Sequence, residues 1–215
     1  LLENKMLVIE GDITPPASSL PPAPPWRIGW FGALRCRESL AILCRLAREN
    51  PGLVAVVIAG RPAYDQLPDF DAQVAHTPGV EFLGSYREED RARLYGQVHF
   101  NWAIDMFEAG QNSSWLLPNR IYEGGRFAAV PLAAEGVETA AFLTRLGIGH
   151  CLSEPKYTAL TAFLTGLTAE EYSALHATVR AVDPSVWSMN RQACEALVAT
   201  LRTLGNAPSS PAPAS

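Results

Sequence analysis

Between residues 26 and 152 the chain repeats one pattern: a short apolar, β-branched run stops at a glycine or polar turn, and a stretch with helical periodicity follows. The runs are WRIGWF (26–31), LVAVVIA (53–59), VEFL (80–83), VHFNWAI (98–104), AVPLAA (129–134) and, more weakly, GHCL (149–152). Most are apolar on both faces, as strands must be when helices cover both sides of a parallel sheet. In the first intervening helix Leu40, Leu43, Leu46 and Ala47 share a stripe, Arg45, Arg48 and Glu49 point away, and Asn50-Pro51-Gly52 stops it. The alternation predicts an α/β fold: a single Rossmann-like, doubly wound domain with about six parallel strands, whose ligands bind outside the carboxyl ends of those strands. After residue 155 the pattern is helical only, and C-terminal helices over 156–166, 169–181 and 187–204 are expected to close the domain.

With 215 residues there is room for one well-buried domain. Asp12 to Pro25 reads DITPPASSLPPAPP, which forms neither helix nor central strand and behaves as a stiff connector. Residues 1–25 are therefore assigned to the end of an interdomain linker, 26–204 to the Rossmann-like domain and 205–215 to a disordered tail.

Charged residues make up 18% and hydrophobic ones 48%, a balance that supports a folded globular chain. A net charge of −5 argues against general nucleic-acid binding, which needs Lys and Arg gathered on one face. No apolar run is long enough to span a bilayer, and the first residues lack the layout of a signal peptide, so a cytoplasmic setting is expected. Cys36, Cys44, Cys151 and Cys194 form no C-x-x-C pair, which predicts reduced, mostly buried thiols and no metal site. The four histidines are scattered; His99, on an apolar strand, is expected to be a satisfied buried imidazole.

Two loops carry candidate chemistry. Gly32 to Ser39 is a glycine turn that opens into a helix, where backbone N–H groups can meet a phosphate and Arg35 and Arg37 can add charged hydrogen bonds. The same residues are equally compatible with arginines that are solvated or paired with Glu38. The second loop, 105–125, is polar and precedes a helix that begins at Pro118. There Glu123 can accept both hydroxyls of a ribose, and Ser113, Ser114 and Asn119 can donate to phosphate oxygens; an ordinary capped surface helix is the alternative.

From Trp26 to Glu154 the ordered segments IGWFGALRCRESL, VVIAG, VEFLGSYREEDRARLYGQV, LPNRIYEGGRFAAVPLAA and GIGHCLSE resemble the C-terminal, donor-binding domain of GT-B fold glycosyltransferases of the large retaining family 4. LPNRIYEGG followed by a Val-Pro strand is the most distinctive piece, similar to that family's P-x-K-x-x-E helix start. The resemblance implies that Glu123 holds the nucleotide ribose, that Arg37, with Arg35 close by, binds the diphosphate, and that Gly84-Ser85-Tyr86-Arg87 lies against the base with Tyr86 as a stacking face. The sequence departs from the family where a glutamate normally stands eight positions before Glu123, because Trp115 is there and the nearest acids are Glu108 and Asp105. Arg37 and Glu108 are accordingly the candidate catalytic residues, and Gly32, Arg35, Arg37, Tyr86, Ser113, Ser114, Asn119 and Glu123 the candidate nucleotide-binding ones.

The implied function is transfer of a sugar from a UDP- or GDP-linked donor to a carbohydrate or lipid-linked acceptor in polysaccharide or glycoconjugate biosynthesis. No cofactor or metal ion is required, and polysaccharide assembly on the cytoplasmic face of a membrane fits the resemblance. In that architecture an N-terminal domain of the same polypeptide supplies the acceptor half, so this chain alone is expected to be inactive. A catalytically silent nucleotide-binding or scaffold domain of the same fold is the alternative reading, with a nucleotide-sugar epimerase ranked below it.

Overall fold

The computed structural model describes residues 6–8, 20–107 and 110–205. The strands are β1 (Met6–Val8), β2 (Trp26–Leu34), β3 (Val54–Pro62), β4 (Val80–Phe82), β5 (Phe100–Trp102), β6 (Val130–Ala134), β7 (His150–Leu152) and β8 (Ser188–Asn190). The helices are α1 (Arg37–Glu49), α2 (Phe70–Ala75), α3 (Arg91–Gly96), α4 (Asn112–Trp115), α5 (Asn119–Arg126), α6 (Glu138–Leu146), α7 (Lys156–Gly166), α8 (Ala169–Ala181), α9 (Pro184–Trp187) and α10 (Arg191–Gly205). Six strands form one parallel sheet in the order β4-β3-β2-β5-β6-β7, as the alternation predicts.

Period-two alternation sorts the side chains of that sheet. Ile28, Trp30, Val56 and Ile58 enter the larger core beneath α1 and the C-terminal helices, while Phe31, Val57 and Ala59 enter a smaller one with Leu94, Tyr95 and Phe127. The apolar stripe expected on α1 is buried and Arg45, Arg48 and Glu49 are exposed.

Strand order reverses between β2 and β5, since the chain winds outward through β3 and β4 before α3 carries it back. A crevice therefore opens where the loops after these two strands part. Buried Ser39 ties the two sides together: its hydroxyl accepts from Trp102 Nε1 at 3.0 Å and donates to the Ile104 carbonyl at 3.5 Å. Gly32 (φ +102°) and Gly60 (φ +142°) are register partners, and a Cβ on Gly60 would strike the Gly32 carbonyl, so glycine is needed for β2 and β3 to approach closely there.

The structure differs from expectation at the C-terminal flank. The helix expected over 187–204 is present as α10 but starts only at Arg191, because Ser188–Asn190 pairs in parallel with Met6–Val8 as a separate two-stranded sheet and α9 precedes it. Asp183 caps α9 by accepting from Ser185 N at 2.8 Å, and Asn190 restarts the helix by accepting from Ala193 N at 2.9 Å. β1 falls within the segment read from sequence as linker. The proline-rich stretch up to residue 19 and the tail after residue 205 lie outside the described residues.

His99 is buried as expected, with Nδ1 accepting from Arg27 N and Nε2 donating to the Pro21 carbonyl, each at 3.0 Å. The four cysteines are free thiols, Cys36 and Cys44 buried and Cys151 and Cys194 half-buried.

Candidate functional site

The crevice is a cleft of about 500 Å³ at the carboxyl ends of the central strands. Its wall on the β2 side is Gly32, Ala33 and Arg35; the β5 side gives Ala103 to Met106, and the start of α5 gives Pro118 to Arg120 and Glu123. Of the residues singled out in the sequence, Gly32, Arg35, Tyr86, Ser113, Ser114, Asn119 and Glu123 all line it. Arg37 does not. At the first position of α1 it is exposed and donates to the Gln66 carbonyl at 3.0 Å, on the side of α1 that faces the loop after β3. Glu108 lies outside the described residues.

Glu123 is nearly buried, and both carboxylate oxygens are engaged. Arg91 Nη2 lies 3.2 Å from Oε1, and the hydroxyls of Tyr95 and Tyr86 donate to Oε2 at 3.0 and 3.3 Å. Burial, reinforced by the neighbouring Glu123 charge, pushes the ionisation of both phenols upward, so they remain donors. Three of about four acceptor positions on the carboxylate are occupied. Tyr95 is fully buried, whereas Tyr86 lines the cleft on a loop that turns at Gly84 (φ +75°). Of the two phenols, Tyr86 is therefore the one that a ligand in the cleft can reach.

Arg35 reaches across the cleft mouth to Asp105 Oδ2 at 3.3 Å and lies over the Phe107 ring, 4.9 Å from its centre. Asp105 Oδ1 accepts from Phe107 N at 3.0 Å, which fixes the start of the loop after β5. Below them sits buried Arg120, donating from Nη1 to the Trp102 carbonyl at 3.4 Å. Burial lowers its pKa and Asp105 opposes that shift, yet an arginine stays charged in either setting. Lys156, paired with Glu154, also lines the cleft from the start of α7.

Sequence reasoning missed Arg120, Lys156, Arg91 and Tyr95. Arg120 had a signal, three residues before Glu123 on the same helical face. Arg91 and Tyr95 stand one turn apart on α3 and Lys156 starts α7, and nothing in their own segments shows that these elements converge on the cleft around Glu123.

Two glycines let helix α5 pack closely, Gly124 against β5 of the sheet and Gly125 against α9. Asn101 Nδ2 donates to the Arg120 carbonyl at 2.7 Å, and a Cβ on Gly124 would collide with that amide. A Cβ on Gly125 would come within 2.5 Å of the Trp187 indole.

No protein-family model matches the chain. It is 48% identical over 209 residues to the succinoglycan biosynthesis protein ExoL of Rhizobium meliloti (strain 1021), covering 95% of this chain and 52% of that protein. The chain thus spans about half the length of this relative. Among solved structures it superposes on Anabaena HepE in complex with UDP and glucose, with a TM-score of 0.59, 17% identity, and coverage of 83% of this chain and 48% of that one. It also superposes on the C-terminal domain of LpcC, a group 1 glycosyl transferase family protein from Francisella tularensis, with a TM-score of 0.51, 12% identity, and coverage of 73% and 80%. The fold is that of one half of a GT-B glycosyltransferase.

In this fold the cleft sits where the reversal of strand order requires it, and it combines a glycine turn, cations at two depths and a carboxylate held by phenols. Such a set can take a phosphorylated, hydroxylated ligand: N–H groups and arginines for the anion, Glu123 for vicinal hydroxyls. No helix among the described residues is long and apolar enough to cross a membrane.

Proposed function

We propose that the chain is the nucleotide-sugar-binding half of a glycosyltransferase that moves a hexosyl group from a UDP- or GDP-linked donor to a carbohydrate or lipid-linked acceptor in polysaccharide biosynthesis. The observation that carries this reading is the convergence of Gly32, Arg35, Arg120 and Glu123 on one cleft at the switch point of the sheet. The similarity to a succinoglycan biosynthesis protein and to a structure holding UDP and glucose supports it.

The diphosphate lies against the Gly32 turn, with Arg35 leaving Asp105 to meet it and Arg120 beneath. The Arg35–Asp105 pair is partly exposed, so breaking it costs little. Negative charge grows on the diphosphate as the glycosidic bond breaks, and fixed cations in a partly dry cleft stabilise that growth. Arg35 therefore takes the role that the sequence assigned to Arg37.

Calorimetric titration of the chain with UDP, GDP and ADP tests the reading. One diphosphate should bind, and Arg35→Ala should weaken it about ten- to a hundredfold, the weight of one charged hydrogen bond of ~1.5–3 kcal/mol. Arg37→Ala should leave affinity within about a factor of two, as expected of an exposed side chain outside the cleft. Failure of all three nucleotides to bind would leave a likeness of fold without the function.

A second reading, nucleotide binding without transfer, is favoured by Trp115 standing eight positions before Glu123. Nucleotide binding by a polypeptide carrying both halves, with no sugar transfer to any acceptor, would select it.

A further inference from the structure

Trp26, Trp30, Trp102 and Trp187 are buried at 3%, 0%, 0% and 1% exposure, whereas Trp115 is 62% exposed. Trp115 ends α4 and faces an open groove of about 610 Å³ between α4 and α6, lined also by Glu135, Gly136, Glu138, Thr144 and Cys151. The groove adjoins the main cleft, because Ser114, Glu135 and Val137 line both. A tryptophan costs free energy in water unless something covers it, and a large exposed aromatic at the rim of a site is a recognition feature more often than an accident of packing.

The chemistry of the groove narrows what can cover it. Its charged side chains facing the ligand space are Glu135, exposed at the turn after β6, and Glu138, which is paired with Arg145 at 3.0 Å. Two carboxylates repel a phosphate, so the groove does not extend the diphosphate site. Carboxylates accept hydrogen bonds only, and so they suit a ligand that offers several hydroxyl donors. A flat aromatic face with acceptors beside it fits a neutral pyranose, whose axial C–H groups form an apolar face and whose equatorial hydroxyls point outward.

We propose that the Trp115 groove is a saccharide subsite, in which one pyranose ring of the acceptor stacks on the indole and donates hydroxyl hydrogens to Glu135. The assignment to the acceptor, rather than to the donor's own sugar, rests on the reading of the main cleft as the nucleotide-sugar site. The shared wall of Ser114, Glu135 and Val137 then brings that ring to the edge of the space where the donor sugar lies.

Because Trp115 is the one strongly exposed tryptophan, acrylamide quenching of intrinsic fluorescence reports on it selectively. The probes are cellobiose and lactose, β-linked disaccharides with flat apolar faces, each with and without saturating UDP. Disaccharide should shield Trp115 from acrylamide, with UDP present or absent. Trp115→Phe should keep binding weakened about tenfold by calorimetry, Trp115→Ala should weaken it more while UDP affinity stays unchanged, and Glu135→Gln should also weaken disaccharide binding. UDP binding with no shielding by either disaccharide would overturn the subsite and leave the nucleotide reading standing. Shielding without any UDP binding would keep the subsite as a pyranose site and discard the nucleotide reading. Shielding by UDP-glucose that UDP alone does not give, together with exclusion of the disaccharides, would assign the groove to the donor sugar and overturn the acceptor assignment.

Discussion

On the proposed reading Glu123 is a ligand site as well as a structural side chain. Its carboxylate neutralises Arg91 and satisfies the buried Tyr95 hydroxyl, so Glu123→Ala should cost ~1–3 kcal/mol of stability by chemical denaturation as well as the preference for UDP over 2′-deoxy-UDP. Tyr86 separates the two roles. If a ribose hydroxyl displaces the Tyr86 hydroxyl from Oε2, Tyr86→Phe should bind UDP at least as tightly as the unaltered chain, while Tyr86→Ala, which also removes the ring, should bind it about tenfold more weakly. A loss on Tyr86→Phe equal to that on Tyr86→Ala would mean that the hydroxyl, not the face, holds the nucleotide. His99 gives a pH dependence whose sign follows from its burial. Desolvation lowers its pKa from 6.5 to about 4, so the unfolded chain takes up a proton first as the pH falls. Its contribution to stability is full above about pH 6.5 and is lost as the pH drops toward about 4, with a slope of up to ~1.4 kcal/mol per pH unit. Thermal unfolding measured across that window should steepen with acid, and His99→Gln should flatten the slope; burial depresses His150 and His176 in the same direction, so some slope will persist.

Helix α5 carries the candidate site and is pressed between β5 of the sheet and α9. Adding a methyl at Gly125 drives a Cβ into the Trp187 indole, an overpacking that should cost ~1–3 kcal/mol. Gly125→Ala should therefore lower the melting temperature, and it should also weaken UDP by shifting Glu123 and Arg120, whereas Gly166→Ala, with open space around its Cβ, should do neither. The segment around Glu123 was legible because Pro118 starts the helix and Glu123 falls about one turn in, whereas the packing role of the two following glycines was not. The strands were legible for the same kind of reason, since runs such as WRIGWF and LVAVVIA are apolar on both faces and the cores on either side of the sheet demand it. The β1–β8 pair was not, because Ser188–Asn190 reads as part of a helix until a partner some 180 residues earlier in the chain is known. Arg35 and Arg37 could not be told apart either. Two residues of separation across a strand-to-helix turn send one guanidinium into the cleft and the other to the Gln66 carbonyl, and only the frame of α1 decides which. Trp115 was noticed as a missing acid, but its exposure and the groove beside it are properties of how α4 sits on α6.

At the scale of the whole molecule, the site is an open cleft on one edge of a sheet, and sugar transfer needs more than a donor site. The acceptor hydroxyl must be held in line with the anomeric carbon, and water must be kept from taking its place. In this chain the cleft and the Trp115 groove are both open, and the relative it resembles is about twice as long as the part it matches. The 215-residue chain should accordingly bind nucleoside diphosphate but release no more UDP from UDP-glucose than the uncatalysed background, with or without a disaccharide acceptor. A polypeptide that joins this half to an N-terminal partner half should turn over, and Arg35→Ala in that context should lower kcat rather than only raise KM, because the charge it stabilises is largest in the transition state. A coupled assay for released UDP, run on both proteins at equal donor occupancy, makes the comparison. Transfer by the 215-residue chain alone would show that this half contains everything the reaction needs, and the acceptor-binding role would then fall to the Trp115 groove without help from a second domain.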